Sequence, residues 1–596
     1  MWQIFLLLSV FSIVAAVAVS FAAGGRKNGK KSKLNLFNTL LAGVAVASFF
    51  MFMPIHIVSA ELSALGCIRS VFLSIFNTMQ IFAFGCEFAV VTDSLGFCPQ
   101  NLNSIYQVWS SLLFVVAPVF TFGVVLSLFK NVSANLRYFR AYFRDVYVFS
   151  ELNDKSLVLA ADIKKNNAGA VIVFTDVFEG NEEKTYELIE QASELGAISF
   201  KKDVLAVNFK RHAAGKSISF FAISTNETEN LNHALKLIEL YKDRPNTHLY
   251  VFSTKIESEL LLTSVDKGEI KVRRINEVKS LINRVLYEQG GMIFDSAKED
   301  SSGKKQISAV VVGMGSHGTE MIKALTWYGQ MDGYQLQIHA FDRDPLALEK
   351  FTVLAPELMS EQYNGVVVEG EAQYRITVHS GVDAESMTFA DKIKEITNAT
   401  YVFVALGNDD TNINTAVHLR MYFERLKIHP VIQAVVYNSH QKKALENIKN
   451  YRGQAYDIDF IGDLESSFTE DVIIDSKLEE DALRRHLKWG NEEEFWTYEY
   501  NYNSSMASAI HLRARIHCGI PGANKKEEEL TDDERNVIEV LEHRRWNAYM
   551  RAEGYVFSGS KDKSSRNDLA KMHHDLVDFS SLSEEEKRKD SRVGTN

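Results

Sequence analysis

The chain has 596 residues, of which 46% are hydrophobic and 24% charged, with a net charge of −11; that length accommodates about three or four domains. The acidic balance argues against wholesale nucleic-acid binding, so no nucleic-acid partner is expected. The four cysteines, at 67, 86, 98 and 518, include no pair with zinc-ligand spacing, and no metal is expected.

The first 130 residues read as a membrane head. Runs 2–23, 36–58 and 106–129 are almost uninterrupted apolar sequence, each long enough for about 30 Å of hydrocarbon. The loop GGRKNGKKSK and the stretch carrying Lys130, Arg137, Arg140 and Arg144 are basic and should face the cytoplasm. Three spans meet this with the amino terminus outside and all beyond residue 130 inside. A cleaved signal peptide is the alternative for the first run, but Met1-Trp2-Gln3 has no positive charge and cleavage would leave the basic loop outside. Between the second and third runs, residues 62–86 are apolar but broken by Arg69, Asn77 and Gln80. A full span there would put the basic segments on opposite sides, so a re-entrant helix ending near Gly85 is expected. Cys67, Cys86 and Cys98 would lie on or near the oxidising face, with room for one disulfide.

From Asp145 short apolar strands alternate with amphipathic helices, the pattern of parallel α/β units. VYVFS, AVIVFTD, ISFFAIST and HLYVFST belong to one domain, 131–290; ISAVVVG, LQIHAFD, TYVFVALGN and PVIQAVVYN belong to a second, 305–475. The halves repeat: FAISTNETENLNHALKLIELY aligns with FVALGNDDTNINTAVHLRMYF, placing Asn230 over Asn412. Only the second half has a glycine loop, VVVGMGSHG. There Gly313 suits a tight turn, Gly315 a close approach to pyrophosphate and Gly318 close helix–strand packing. Phosphates would rest on the free amides from Ser316 onward. Asp342, closing the next strand, is placed to bind ribose hydroxyls. In the first half the turn reads SELNDKS and has no glycine, so its expected role is structural, in dimerisation.

Two doubly wound, Rossmann-like parallel sheets behind an α-helical membrane head is the expected fold class. The pair resembles the tandem domains that regulate potassium conductance and uptake in prokaryotes, a likeness carried by this architecture and by ALGNDDTN, from Ala405 to Asn412. The resemblance implies a nucleotide site including Asn408 and Asp410, with NAD(H) or another nucleotide as regulatory ligand. It also implies a homo-oligomer, a tetramer by analogy, whose cytosolic ring pulls on a pore. The segment Gln80, Ile81, Phe82, Ala83, Phe84 and Gly85 loosely resembles a potassium-channel filter, with Ile81 in place of the threonine and Ala83 in place of a glycine.

After a helical connector, 476–530, residues 531–596 resemble the ryanodine-receptor repeat domain, a small helical module. The matched positions are His543, Trp546, Gly554, Lys571, His573, Leu576, Val577, Phe579, Leu582 and Lys587. Tyr555 stands where tryptophan is usual, Ser558 where glycine is usual and His574 where proline follows the histidine. Arginine forks suit phosphates and aromatic faces suit bases, so His543, Arg544, Trp546, Tyr549, Arg551 and Tyr555 are the expected ligand residues of this module.

No paired carboxylates, nucleophile with base, or metal cluster stands out in the cytosolic part, so an enzyme is not expected. The expectation is a nucleotide-sensing, ligand-gated protein of the bacterial inner membrane, a cation channel or membrane effector. Its partners would be the lipid bilayer, further copies of itself and a small nucleotide. Proteins joining such parts resemble proposed effectors of nucleotide-signalled defence against phage. The alternative is a potassium channel or uptake regulator tuned by NAD(H) or ATP.

Overall fold

The computed structural model describes the chain except residues 25–28, 61–62, 129–131, 178–182, 301–302, 369–370, 373, 447–449 and 596. Arg26 and Lys27 of the basic loop, Leu62 at the start of the expected re-entrant stretch, and Lys130 lie outside the described residues. Two compact units emerge, Met1–Leu136 and Arg137–Asn596.

The first unit contains four helices that are long and apolar enough to cross a membrane: α1 (Trp2–Gly24), α2 (Gly29–Val58), α3 (Ala64–Phe82) and α4 (Gln100–Leu128). Three such runs were expected, and the fourth is the stretch expected to dip and return. Polar side chains fasten this unit. Ser9 Oγ donates to the Ala47 carbonyl at 2.7 Å and accepts from Trp109 Nε1 at 2.8 Å, while the Tyr106 hydroxyl donates to the Met51 carbonyl. The Trp2 and Tyr106 rings meet edge-on at 4.9 Å. The start of α1, the end of α2 and the start of α4 therefore lie together. Helix α3 packs against α2, and two of its polar side chains share one partner: Ser70 Oγ donates to the His56 carbonyl, and Asn77 Nδ2 reaches His56 Nε2, both at 3.0 Å.

The filter-like segment is the end of this helix. Gln80, Ile81 and Phe82 form its last turn, with Ile81 buried in the core of the unit. The Ala83 N–H bonds the carbonyls of Met79 and Gln80, the Gly85 N–H bonds Gln80 at 2.8 Å, and Phe84 takes φ +58°. These are the bonds of a left-handed helix stop. The first two residues of IFAFG are therefore helical, and the turn that follows closes on Gln80. All four cysteines are free.

The second unit contains two parallel sheets. The first comprises β1 (Val146–Phe149), β2 (Val171–Phe174), β3 (Ile198–Ser199), β4 (Ile218–Ala222), β5 (Thr247–Phe252) and β6 (Lys271–Ile275) in the order 3-2-1-4-5-6. Helix α5 (Asp154–Asn166) follows β1, α6 (Glu227–Tyr241) follows β4, and α7 (Glu277–Gln289) leaves the sheet after β6. The second sheet comprises β7 (Lys305–Val312), β8 (Tyr334–Asp342), β9 (Arg375–Ser380), β10 (Tyr401–Val404), β11 (Val431–Val435) and β12 (Ile458–Ile461), in the matching order 9-8-7-10-11-12. An antiparallel pair, 298–299, adds to β7. Helix α8 (Ser316–Tyr328) follows β7 and α9 (Asp409–Arg425) follows β10.

Successive residues of β7 explain why these strands read as unbroken apolar runs. Ile307, Ala309 and Val311 enter one core and Val310 and Val312 the other, so both faces are covered. The repeat is a structural one. Asn412 accepts from the Leu406 N–H at 2.5 Å and donates to the Val435 carbonyl at 2.8 Å. Asn230 accepts from the Ser224 N–H at 2.5 Å and donates to the Phe252 carbonyl at 2.9 Å. Each asparagine staples the ends of two adjacent strands.

The later helices include α10 (Lys477–His486), α11 (Glu499–His517), α12 (Asp532–Ala552) and α13 (Glu584–Gly594). Met506, Ile510, Leu541 and Met550 of α11 and α12 share one core with Ile307 and Trp327. The connector and the C-terminal module therefore complete one face of the second sheet.

Candidate functional site: a crevice at the glycine loop

The loop after β7 is shaped by three glycines with different duties. Gly313 takes φ +92°, and a Cβ there would lie 2.3 Å from the Ala405 carbonyl oxygen. At Gly318 a Cβ would lie 1.7 Å from the Gly313 oxygen, so the helix touches the loop only because residue 318 has no side chain. Gly315 differs: a Cβ there meets nothing within 4 Å. It is the N-cap of α8 and supplies no side-chain acceptor, and the first turn has no acidic residue. The first amides of α8 are thus left for an outside acceptor, at the helix end that favours negative charge.

A cavity of about 780 Å³ opens over this loop, lined by Gly313, Gly315, Ser316, Asp342, Gly407 and Asn408 and closed by Glu227 and Thr254 from the first sheet. A neighbouring cavity of about 430 Å³ shares Gly315, Ser316 and Asp342 and runs toward Lys350. Asp342 is held in place by the loop it faces, accepting from the N–H of Met314 at 2.6 Å and of Asp344 at 2.8 Å. A carboxylate accepts about four hydrogen bonds, which leaves capacity for ribose hydroxyls.

The expected residues divide here. Gly313, Gly315, Ser316, Asp342 and Asn408 line the crevice. Gly318 packs behind it. Asn408 spends its side-chain oxygen on the Thr411 N–H at 2.8 Å, capping α9. Asp410 is not in the lining and reaches Gln441 at 3.3 Å; its neighbour Asp409 is the one turned to the strand ends, accepting from Tyr437 and Asn438 N–H. Sequence reading missed Arg343, His317 and Tyr437, which also line the crevice. Arg343 directly follows the strand-end acid, a position where a cation can meet a ribose phosphate, so its signal was present. Burial holds the His317 pKa below its ordinary value, so this histidine adds no charge near neutral pH. Asp383 and Glu385 line the far side; a phosphate here would depend on amides and the helix end.

The corresponding edge of the first sheet is closed by its own side chains. Asn153 caps α5 by accepting from Ser156 N–H at 2.9 Å and donates to the Ile223 carbonyl at 2.7 Å, and Glu151 accepts from Thr225 N–H at 3.2 Å.

In the C-terminal module, a second cavity of about 330 Å³ lies between α10, α11, α12 and α13. His543 and Trp546 line it; Arg544, Tyr549, Arg551 and Tyr555 do not. Tyr549 packs against Trp327, Arg551 lies 3.5 Å from the Tyr363 ring centroid and pairs with Glu357, and the Tyr555 hydroxyl faces Asp568 at 3.4 Å. His543 Nε2 donates to the Val577 carbonyl at 2.7 Å, with Nδ1 3.4 Å from Asp590. Burial lowers its pKa, but Asp590 outweighs this and the net shift is upward.

Two trios among the described residues bring ligating atoms within 4.8 Å: His573, His574 and Asp575, and Asp203, Glu229 and His233. His573 Nδ1 already accepts from the Asp575 N–H at 3.1 Å, and His233 Nε2 is bonded to Asp203 at 2.9 Å. Nδ1 of His233 and Nδ1 of His574 are buried without a partner among the described residues.

Compared with family models and with curated proteins, the chain gives no match.

Proposed function

We propose that this chain is a nucleotide-sensing, ligand-gated membrane protein, and that the crevice at Gly315 is its sensor. The observation that carries the reading is the open space over Gly315 at an uncapped helix start, beside a strand-end carboxylate. A cavity of this size suits a nucleotide, and the loop meets its phosphates with backbone amides. The reading is of a sensor because backbone amides at a helix start and a strand-end carboxylate are groups that bind a nucleotide.

On this reading α1, α2 and α4 span the bilayer of the bacterial inner membrane, with the amino terminus outside and the sheets in the cytoplasm. Helix α3, taken as the re-entrant helix, belongs to the outer part of the head. Copies of the chain assemble around the conduction path. A ligand shifts such an equilibrium only by its differential affinity for the two states. The crevice supports this because its walls come from both sheets, so a ligand filling it favours one spacing between them. Helix α8 also carries the signal onward. Its Lys323 meets Glu553, at the end of α12, at 3.2 Å, and Lys279 of α7 meets the same carboxylate at 3.0 Å.

The test is ion flux from liposomes containing the full chain, with NAD, ATP, ADP-ribose species or cyclic oligonucleotides on the cytosolic side. Flux that appears with one of these and is lost in Gly315→Glu is expected. Tight nucleotide binding without flux would replace gating by signalling to a partner protein. No binding of any nucleotide would overturn the reading.

A further inference from the structure

The cavity in the C-terminal module gathers more buried positive charge than its carboxylates neutralise. Arg485 of α10, Arg515 of α11 and Arg545 of α12 are 4%, 0% and 1% exposed. They surround one carboxylate, Glu542, which pairs with Arg515 through one oxygen and with Arg545 through the other. Arg485 has no acidic partner among the described residues: its Nε donates to Ser508 Oγ at 3.0 Å and its Nη1 to the Thr595 carbonyl at 2.8 Å. Charges taken out of water are unfavourable unless paired and fully hydrogen-bonded. Burial, only partly offset by Glu542 and reinforced by Arg515 and Arg545, pulls the Arg485 pKa down to about 9.

The donors left over point to what is missing. Nη2 of Arg485 and both Nε and Nη1 of Arg545 are buried without an acceptor among the described residues, and both arginines line the cavity. The acids of the facing wall are already committed. Glu586 pairs with Lys563 at 3.0 Å and Lys589 at 2.8 Å, and Asp590 with His543. Trp546 lines the same space, edge-on to His573 at 4.9 Å.

We infer that this cavity is a second ligand site, shared between the connector helix α10 and the C-terminal module, which takes a phosphate ester of mononucleotide size. Arg485 and Arg545 would receive the phosphoryl oxygens through charge-assisted bonds, and Trp546 would offer its face to the base. The volume of about 330 Å³ lies at the small end of ligand pockets and suits one nucleotide, whereas the crevice at Gly315 is more than twice as large. The inference stands independently of that crevice.

The experiment is calorimetric titration of the full chain in detergent with inorganic pyrophosphate, AMP and ADP. Saturable binding is expected, weakened about tenfold or more by Arg485→Gln and by Arg545→Gln. Trp546→Ala should weaken AMP and ADP while sparing pyrophosphate, and the arginine and tryptophan effects should persist in a Gly315→Glu background, where the crevice no longer contributes. Binding that vanishes in Gly315→Glu but survives both arginine variants would assign the ligand to the crevice and overturn this site. So would absence of binding by every probe at millimolar concentration. Should an arginine variant fail to fold, hydrogen exchange of the wild type decides. Ligand-dependent protection in 477–486 and 541–551 supports the site, and unchanged exchange there overturns it.

Discussion

The two sheets share one strand order and one stapling asparagine, yet the turn after the first central strand is open over its helix start in the second and capped by a side chain in the first. In the second sheet Gly318 lets the helix touch the loop, and Gly315 leaves space above α8. In the first, Asn153 closes the helix start and Glu151 crosses to Thr225. A duplicated fold therefore keeps its scaffold chemistry in both copies, while a few loop side chains determine whether its anion-receiving end is available or used internally. The first sheet has become a wall: Glu227 and Thr254 close the crevice of the second.

The sharpest way to break this contrast is Gly315→Glu. A Cβ at this position meets no neighbour and the backbone has negative φ, so the fold should stand. A carboxylate over the helix start should cost nucleotide affinity about a thousandfold, or roughly 4 kcal/mol. Calorimetry on the variant, with a thermal melt to confirm folding, checks both halves. Leu152→Glu, in the matching turn of the first sheet, should leave affinity unchanged; an equal loss there would mean that the ligand sits in the wrong copy.

Acid should separate the sheets next. Glu542, fully buried among arginines, has its pKa pulled down to about 2: burial opposes the shift, but Arg545 and Arg515 outweigh it. A depressed carboxylate stabilises the fold above its ordinary pKa of 4.5, and that contribution fades as pH falls from about 4.5 toward 2. The full effect is on the order of 3 kcal/mol. Trp327, Trp489, Trp496 and Trp546 all lie beyond residue 305, and 145–290 contains no tryptophan. Tryptophan fluorescence should therefore register acid loosening of α12 before hydrogen exchange registers opening of β1 and β4. Simultaneous loss would show that the sheets open as one cooperative body.

Asn230→Ala and Asn412→Ala test what the copies have in common. Asn412→Ala removes two bonds to strand-end groups and Asn230→Ala three, the third to the Ser224 carbonyl, at a cost of about 2 to 4 kcal/mol. The two costs should agree within about 1 kcal/mol in denaturant melts. A much smaller loss at Asn230 would mean that the first sheet has relaxed its scaffold as well as its loop.

Much of this contrast was visible in the sequence because backbone constraints leave residue-type marks. VVVGMGSHG shows where only glycine fits, and the aligned asparagines show where a strand end must be held. The C-terminal cavity was harder to read. On α12 Glu542, His543, Arg545, Asn547 and Arg551 are buried together with Ile538, Leu541 and Met550, so polar and apolar residues share every side of the helix and periodicity identifies no exposed face. Tyr549 and Arg551 were therefore drawn into a ligand set although they pack against Trp327 and Tyr363. Arg485 was invisible for a different reason: it reaches the cavity from another helix, 60 positions before Arg545.

The smallest effect is the most direct exchange between the copies. Gly315→Asn would give α8 the cap that Asn153 gives α5. A capping oxygen accepts from the amide two or three positions on, which is the donor a phosphate would use. Gly is only a few tenths of a kcal/mol poorer than Asn as an N-cap, so the unliganded protein should gain about that much stability. Nucleotide affinity should fall by more than this gain, because the ligand must now displace an internal acceptor as well as water. Asn153→Gly should lose more than this, because it also removes the bond to the Ile223 carbonyl, and should acquire no affinity, since Glu151 and Leu152 still fill the turn. Gain of stability with unchanged affinity in Gly315→Asn would show that the ligand does not use the amides of α8, and the openness of the second copy would then need a different explanation from phosphate recognition.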